Sequence, residues 1–188
     1  MLTNQEFYFS VGLNDIPWDR LVNWYGRSTD FPNYFYDLLS DETERQKKAI
    51  DKIGSNIEHQ DGIIMMTPFA LIFLFRLLSF EKTNKNQILE KILTVAEATK
   101  FQLGLFEKKE IPTEINNIQE LLNEKYIWPT FESELQDDIY WEEYGYGKEH
   151  YYWLQYSFDI IKTFSFILKK FTDKTQVDIA TQILATID

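Results

Sequence analysis

NKNQILEKILTVAEATKFQL, residues 84–103, sets its apolar side chains in two rows rather than one. Ile88, Ile92, Val95 and Leu103 form the first row; Leu89, Leu93 and Ala96 form the second. On a helix with about 3.6 residues per turn the two rows face different neighbours, so the helix must pack on two sides. An inner helix of this kind belongs to a stack of paired helices. Asn84 opens it and Gly104 ends it.

The stretch before it, IIMMTPFALIFLFRLLSF over residues 63–80, is apolar on every face. Pro68 interrupts it and Arg76 lies inside it, and it falls short of the ~20 clean apolar residues of a membrane span. It reads as a helix buried all round, with Leu71, Phe73, Leu74, Leu77 and Leu78 in the core.

Helical spacing continues in both directions. Ile16-Pro17-Trp18 starts a short helix through Leu21, Val22 and Tyr25, stopped by Gly26; Asp30 and Pro32 open the next, which buries Tyr34, Phe35 and Leu38. Asp41 with Glu44 resembles a capping box, and Ile50, Ile53 and Ile57 share a face opposite Arg45, Lys48 and Lys52. Ile115, Ile118 and Leu122 predict another helix, as do Ile160, Phe164, Ile167 and Phe171. Asp173 with Gln176 caps a last one with Val177, Ala180, Leu184 and Ile187 inward. Only Phe7, Phe9, Val11 and Leu13 alternate with period two; with no strand to pair with, they predict an extended N-terminal arm. The expected fold is all-α: residues 1–188 as a single domain of paired helices with strand limited to the first 14 residues. Seven glycines and five prolines are too few for a turn-rich β fold.

A net charge of −11 disfavours nucleic acid and anionic membrane, which require clustered Lys and Arg, and makes a basic protein the natural partner. There is no cysteine, so no disulfide framework or thiolate metal site is possible, which suits a reducing compartment. No basic segment followed by an apolar run opens the chain, and a cytoplasmic location is expected.

The charge and the rings concentrate in WPTFESELQDDIYWEEYGYGKEHYYWLQY, residues 128–156. Glu132, Glu134, Asp137, Asp138, Glu142 and Glu143 precede its first lysine. Carboxylates steer a basic partner and amphipathic rings anchor it, so a partner-binding surface is expected at Asp137, Asp138, Tyr140, Trp141, Glu142, Glu143, Tyr144 and Tyr146. A plain solvated acidic face is the alternative, and paired carboxylates for hydrolysis are a third reading. Trp153, Tyr156 and Phe164 read as core, and Trp18 and Trp24 as structural.

Neither a P-loop, a dinucleotide fingerprint nor a G-x-S-x-G elbow is present. Of the two histidines, His59 lies beside Glu58 and Asp61, where metal binding or acid–base work competes with a structural role in a tight turn. His150, between Glu149 and Tyr151, is a candidate for tuning partner binding with pH. No metal and no cofactor are expected.

Ile16-Pro17-Trp18-x-x-Leu21, Tyr25-Gly26, Asp30-Phe31-Pro32, Asn56-Ile57-x-His59-Gln60-x-Gly62 and Pro68-Phe69 stand in a recognisable order. Over residues 15–80 the chain resembles bacterial HEAT-repeat-like proteins, departing from their pattern where Asp61 intervenes between Gln60 and Gly62. The resemblance implies an α-α superhelix of HEAT-like stacked helix pairs and a bacterial source. Some members look like small immunity proteins that neutralise toxins; together with the acidic, aromatic segment this predicts a non-enzymatic protein that occludes a basic toxin domain. A metal-dependent hydrolase built on Glu58, His59 and Asp61 and a HEAT-like scaffold or adaptor remain the alternatives.

Overall fold

The computed structural model describes residues 2–106, 115–144 and 149–188, with the side chain of Tyr144 excepted. Eight α-helices occur among them: α1 (Asn4–Ser10), α2 (Phe31–Asp37), α3 (Thr43–Ile57), α4 (Thr67–Leu77), α5 (Lys85–Leu103), α6 (Glu134–Tyr144), α7 (His150–Leu168) and α8 (Lys174–Ile187). The chain is mostly helical, as its periodicity predicts.

α5 is the organising element. Asn84 accepts a hydrogen bond from the Gln87 N–H at 3.3 Å and opens it. Ile88, Leu89, Ile92, Val95 and Ala96 are all buried, and the helix packs on both α7 and α8. α4 lies against α7, so the hairpin α4–α5 is stacked on the hairpin α7–α8. Leu71, Phe73, Leu74, Leu77 and Leu78 of the α4 segment are buried as expected, together with Trp153, Tyr156 and Phe164 of α7. Arg76, the one charge in this apolar segment, donates to the carbonyl oxygens of Tyr8 and Val11 at 2.6 and 2.5 Å. It thereby satisfies orphan acceptors at the C-terminal end of α1, while burial pushes its pKa down.

The N-terminal arm is a correction: it is helical, not extended. Thr3 and Glu6 form a reciprocal capping box, Thr3 N–H donating to Glu6 Oε2 at 2.8 Å and Glu6 N–H to Thr3 Oγ1 at 3.2 Å. Phe7 and Val11 are four residues apart and buried on one helical face, whereas Phe9 is 47% exposed. The buried Tyr8 hydroxyl donates to Asp159 Oδ2 at 2.7 Å, joining α1 to α7. The last helix is also rotated from expectation, burying Ile179, Ala180, Ile183 and Ile187 and leaving Val177 exposed. The Asp41–Glu44 box does not form: Glu42 is the N-cap of α3, without a side-chain cap. Residues 118–122 make a 3-10 turn rather than an α-helix.

Two short β-hairpins replace what spacing alone makes helical or loop. β1 (Val22–Asn23) pairs with β2 (Gly26–Arg27), and β3 (Glu58–His59) with β4 (Gly62–Ile63), both antiparallel. In the first, Asn23 Oδ1 accepts from the Tyr25 N–H at 2.8 Å, and Gly26 has φ +125°, a conformation that other residues rarely adopt. Tyr25 therefore sits on a turn tip and not on a helix. In the second, Gln60 and Asp61 both take positive φ, 51° and 62°, at the two turn positions. Glu58 Oε1 receives the Asp61 N–H at 2.8 Å, and Thr67 Oγ1 closes the base by donating to Ile57 O and accepting from Ile64 N–H. Asn-Gly is the pair that adopts this turn without strain. The double change Gln60→Asn with Asp61→Gly is expected to stabilise the protein by about 1–2 kcal/mol. An unchanged or lowered urea midpoint would show that the two native side chains contribute more than their backbone strain costs.

Candidate functional site

The first hairpin, the segment around Trp128 and the helix α6 meet around Arg27. Its guanidinium donates twice to Asp137, Nε to Oδ2 at 2.7 Å and Nη2 to Oδ1 at 2.6 Å. Nη1 donates to the carbonyl oxygens of Asp19 and Pro129 at 2.7 and 2.9 Å. The same guanidinium lies 5.4 Å from the ring centres of both Trp128 and Phe131. A planar cation stacked on rings and paired bidentately to a carboxylate is the strongest form of such a contact. Arg20 fixes the Trp128 backbone: its Nε donates to Trp128 O at 2.6 Å, and its own carbonyl accepts from Trp128 N–H at 3.0 Å. Hydrogen bonds from Arg20 hold the Glu124 carboxyl below its ordinary pKa.

Among the described residues, α6 is anchored by the Arg27 ion pair and by packing on the Trp128 ring. Trp128 is buried and packs edge-on against Tyr140 at 5.3 Å and tilted against Trp141 at 6.1 Å. Tyr140 and Trp141 are both half-buried, because the Trp128 ring supplies part of their apolar contact. The charge of Asp137 is matched by Arg27. Asp138, Glu142 and Glu143 are exposed, and among the described residues they form no ion pair, nor do Glu132 and Glu134. Tyr146 and the side chain of Tyr144 lie outside the described residues.

The exposed apolar groups of this face are ones the sequence reading passed over. Leu135 and Ile139, four residues apart on α6, are 70% and 46% exposed, with Phe131 just before the helix at 53%. Tyr25, at the tip of the first hairpin, is 68% exposed. The i,i+4 spacing of Leu135 and Ile139 was the available signal, masked by the run of carboxylates around it. A cleft of about 400 Å³ opens between the hairpin and α6, lined by Trp24, Tyr25, Trp128, Asp137, Asp138 and Trp141 among others.

The second hairpin borders the same region. A side chain at Gly62 would collide with the Trp24 ring, and His59 lies 5.9 Å from Trp24 and 6.1 Å from Tyr25 between ring centres. Tyr25-Gly26 and His59-Gln60-x-Gly62, separate motifs in the sequence, are neighbours in space. His59 is exposed on a strand, and its turn is closed by Glu58. Among the described residues no three His, Asp or Glu side chains are grouped to hold a metal ion. His150 is half-buried against Phe106 and Trp153, and desolvation pushes its pKa below the usual value. Among the described residues no helix is long and apolar enough to cross a membrane.

Comparison with family models, with curated proteins and with solved structures gave no match in any of the three.

Proposed function

We propose that this chain is a non-enzymatic protein-binding domain, most concretely an immunity protein that neutralises a bacterial toxin in the cytoplasm by covering a basic site. The observation that carries this reading is the face made by α6 and the first hairpin. It combines exposed apolar groups (Tyr25, Phe131, Leu135 and Ile139) with exposed carboxylates that have no internal cation among the described residues. Carboxylates accelerate encounter with a basic surface, and apolar groups hold the complex once water is expelled. The stacking of α4–α5 on α7–α8 supports the α-α superhelix that the resemblance over residues 15–80 implies.

The test is co-expression with the product of the adjoining gene. That product is expected to arrest growth alone and to be neutralised by this chain. In binding kinetics with the purified pair, Glu142→Lys with Glu143→Lys is expected to slow association about 10-fold at low salt and to flatten its salt dependence. Tyr25→Ala is expected to speed dissociation about 10-fold or more. All three side chains are exposed, so neither change should alter the melting temperature. Wild-type rate constants in both variants would remove this face from the function.

A further inference from the structure

The cleft between the first hairpin and α6 has a lining that specifies a ligand chemistry. Its walls carry the rings of Trp24, Tyr25, Trp128 and Trp141, and two adjacent carboxylates, Asp137 and Asp138, reach it. These carboxylates differ in state. Asp137 is matched by Arg27, whereas Asp138 is exposed and in no ion pair among the described residues. Aromatic faces attract cations through their quadrupole, and a carboxylate beside them adds charge and bidentate geometry. We propose that this cleft binds the guanidinium of an arginine side chain presented by a basic protein partner. The proposal rests on the protein-binding reading above and names what that face recognises.

The chain contains its own precedent. One helix position earlier, Arg27 lies 5.4 Å from two aromatic rings and donates twice to Asp137. A partner arginine at Asp138 repeats that arrangement with the rings of Trp24, Tyr25 and Trp141 in place of Trp128 and Phe131. A lysine is a poorer fit, because its compact ammonium meets a ring only as a point charge, without a flat face to lie along it, and does not bridge two carboxylate oxygens in a plane. Placement favours a side chain entering from a partner surface. The cleft is flanked by the exposed Tyr25 on one side and by the acidic α6 on the other, and the net charge of −11 draws basic proteins towards it. Gly62 and His59 contribute from the second hairpin by seating the Trp24 ring at the cleft wall.

Two peptides of equal length and charge, one of alternating Arg and Gly and one of alternating Lys and Gly, test this by calorimetric titration and by the indole N–H signals in NMR. The arginine peptide is expected to bind about 10-fold more tightly, and to shift Trp indole signals that the lysine peptide leaves unmoved. Asp138→Asn and Tyr25→Ala, both at exposed positions, are each expected to weaken the arginine peptide to the affinity of the lysine peptide and so erase that preference. Equal binding of the two peptides by the wild-type chain overturns the guanidinium assignment and leaves the acidic protein-binding face standing. Binding of neither peptide at low salt overturns that face as well. Displacement of the arginine peptide by tetramethylammonium as effectively as by guanidinium also overturns the assignment, because a quaternary-ammonium cage would then describe the cleft better.

Discussion

Phe73→Ala is expected to destabilise the protein by about 3–5 kcal/mol, through lost transfer energy and the cavity left behind. Phe73 is 7% exposed and sits where three elements converge. Its ring is 5.8 Å from Trp18, 5.4 Å from Phe35 of α2 and 5.2 Å from the Arg76 guanidinium. Trp18 is itself held in place by donating from Nε1 to Leu13 O at 2.7 Å and by stacking on Phe31, so it cannot swing into the void. Truncation therefore leaves the space largely unfilled, and it removes the ring under a cation that caps α1. Thermal unfolding should show a drop of roughly 6–20 °C for a domain of this size. A loss below about 1 kcal/mol would mean that α4 is peripheral to the fold.

What the sequence discloses and what it hides follow from the range of the interactions involved. The two rows of α5 are readable because each buried side chain recurs every three or four residues over 19 positions, and burial on α7 and α8 follows that repeat. The hairpins offer no such repeat, since each strand is two residues long. Their turns are set by Asn23 and Gly26 in one case and by Gln60 and Asp61 in the other, and the second pair is not the composition that such turns favour. At residues 7–13 two periods compete. Phe7 and Val11 satisfy both alternation and an i,i+4 face, and the Thr3–Glu6 capping box, a signal present in the sequence, decides for the helix.

The candidate site was legible as a region but not residue by residue. Asp137 and Asp138 are adjacent and chemically identical in sequence. Only Arg27, 110 residues away, makes one an internal partner and leaves the other on the surface. Trp128 does the same for the rings, drawing Tyr140 and Trp141 inward while Leu135 and Ile139 face out. The meeting of the His59 turn with Trp24 is likewise a tertiary event, made possible by the absence of a side chain at Gly62.

Arg27→Met is expected to cost about 3–5 kcal/mol, because it leaves a carboxylate without its partner in a largely water-excluded site. The side chains of Arg27 and Asp137 are 8% and 18% exposed, and the carbonyl oxygens of Asp19 and Pro129 lose their donor at the same time. Replacing both members, Arg27→Met with Asp137→Leu, is expected to recover at least half of that loss, since two apolar groups restore packing without a stranded charge. Hydrogen exchange should locate the damage in α6, whose amides are expected to lose protection before those of α5. A cost below about 1 kcal/mol for Arg27→Met would place the pair with ordinary surface ion pairs. The same substitution also separates stability from recognition. Removing Arg27 also takes one positive charge off the proposed binding face, so association with a basic partner should accelerate at low salt while the melting temperature falls.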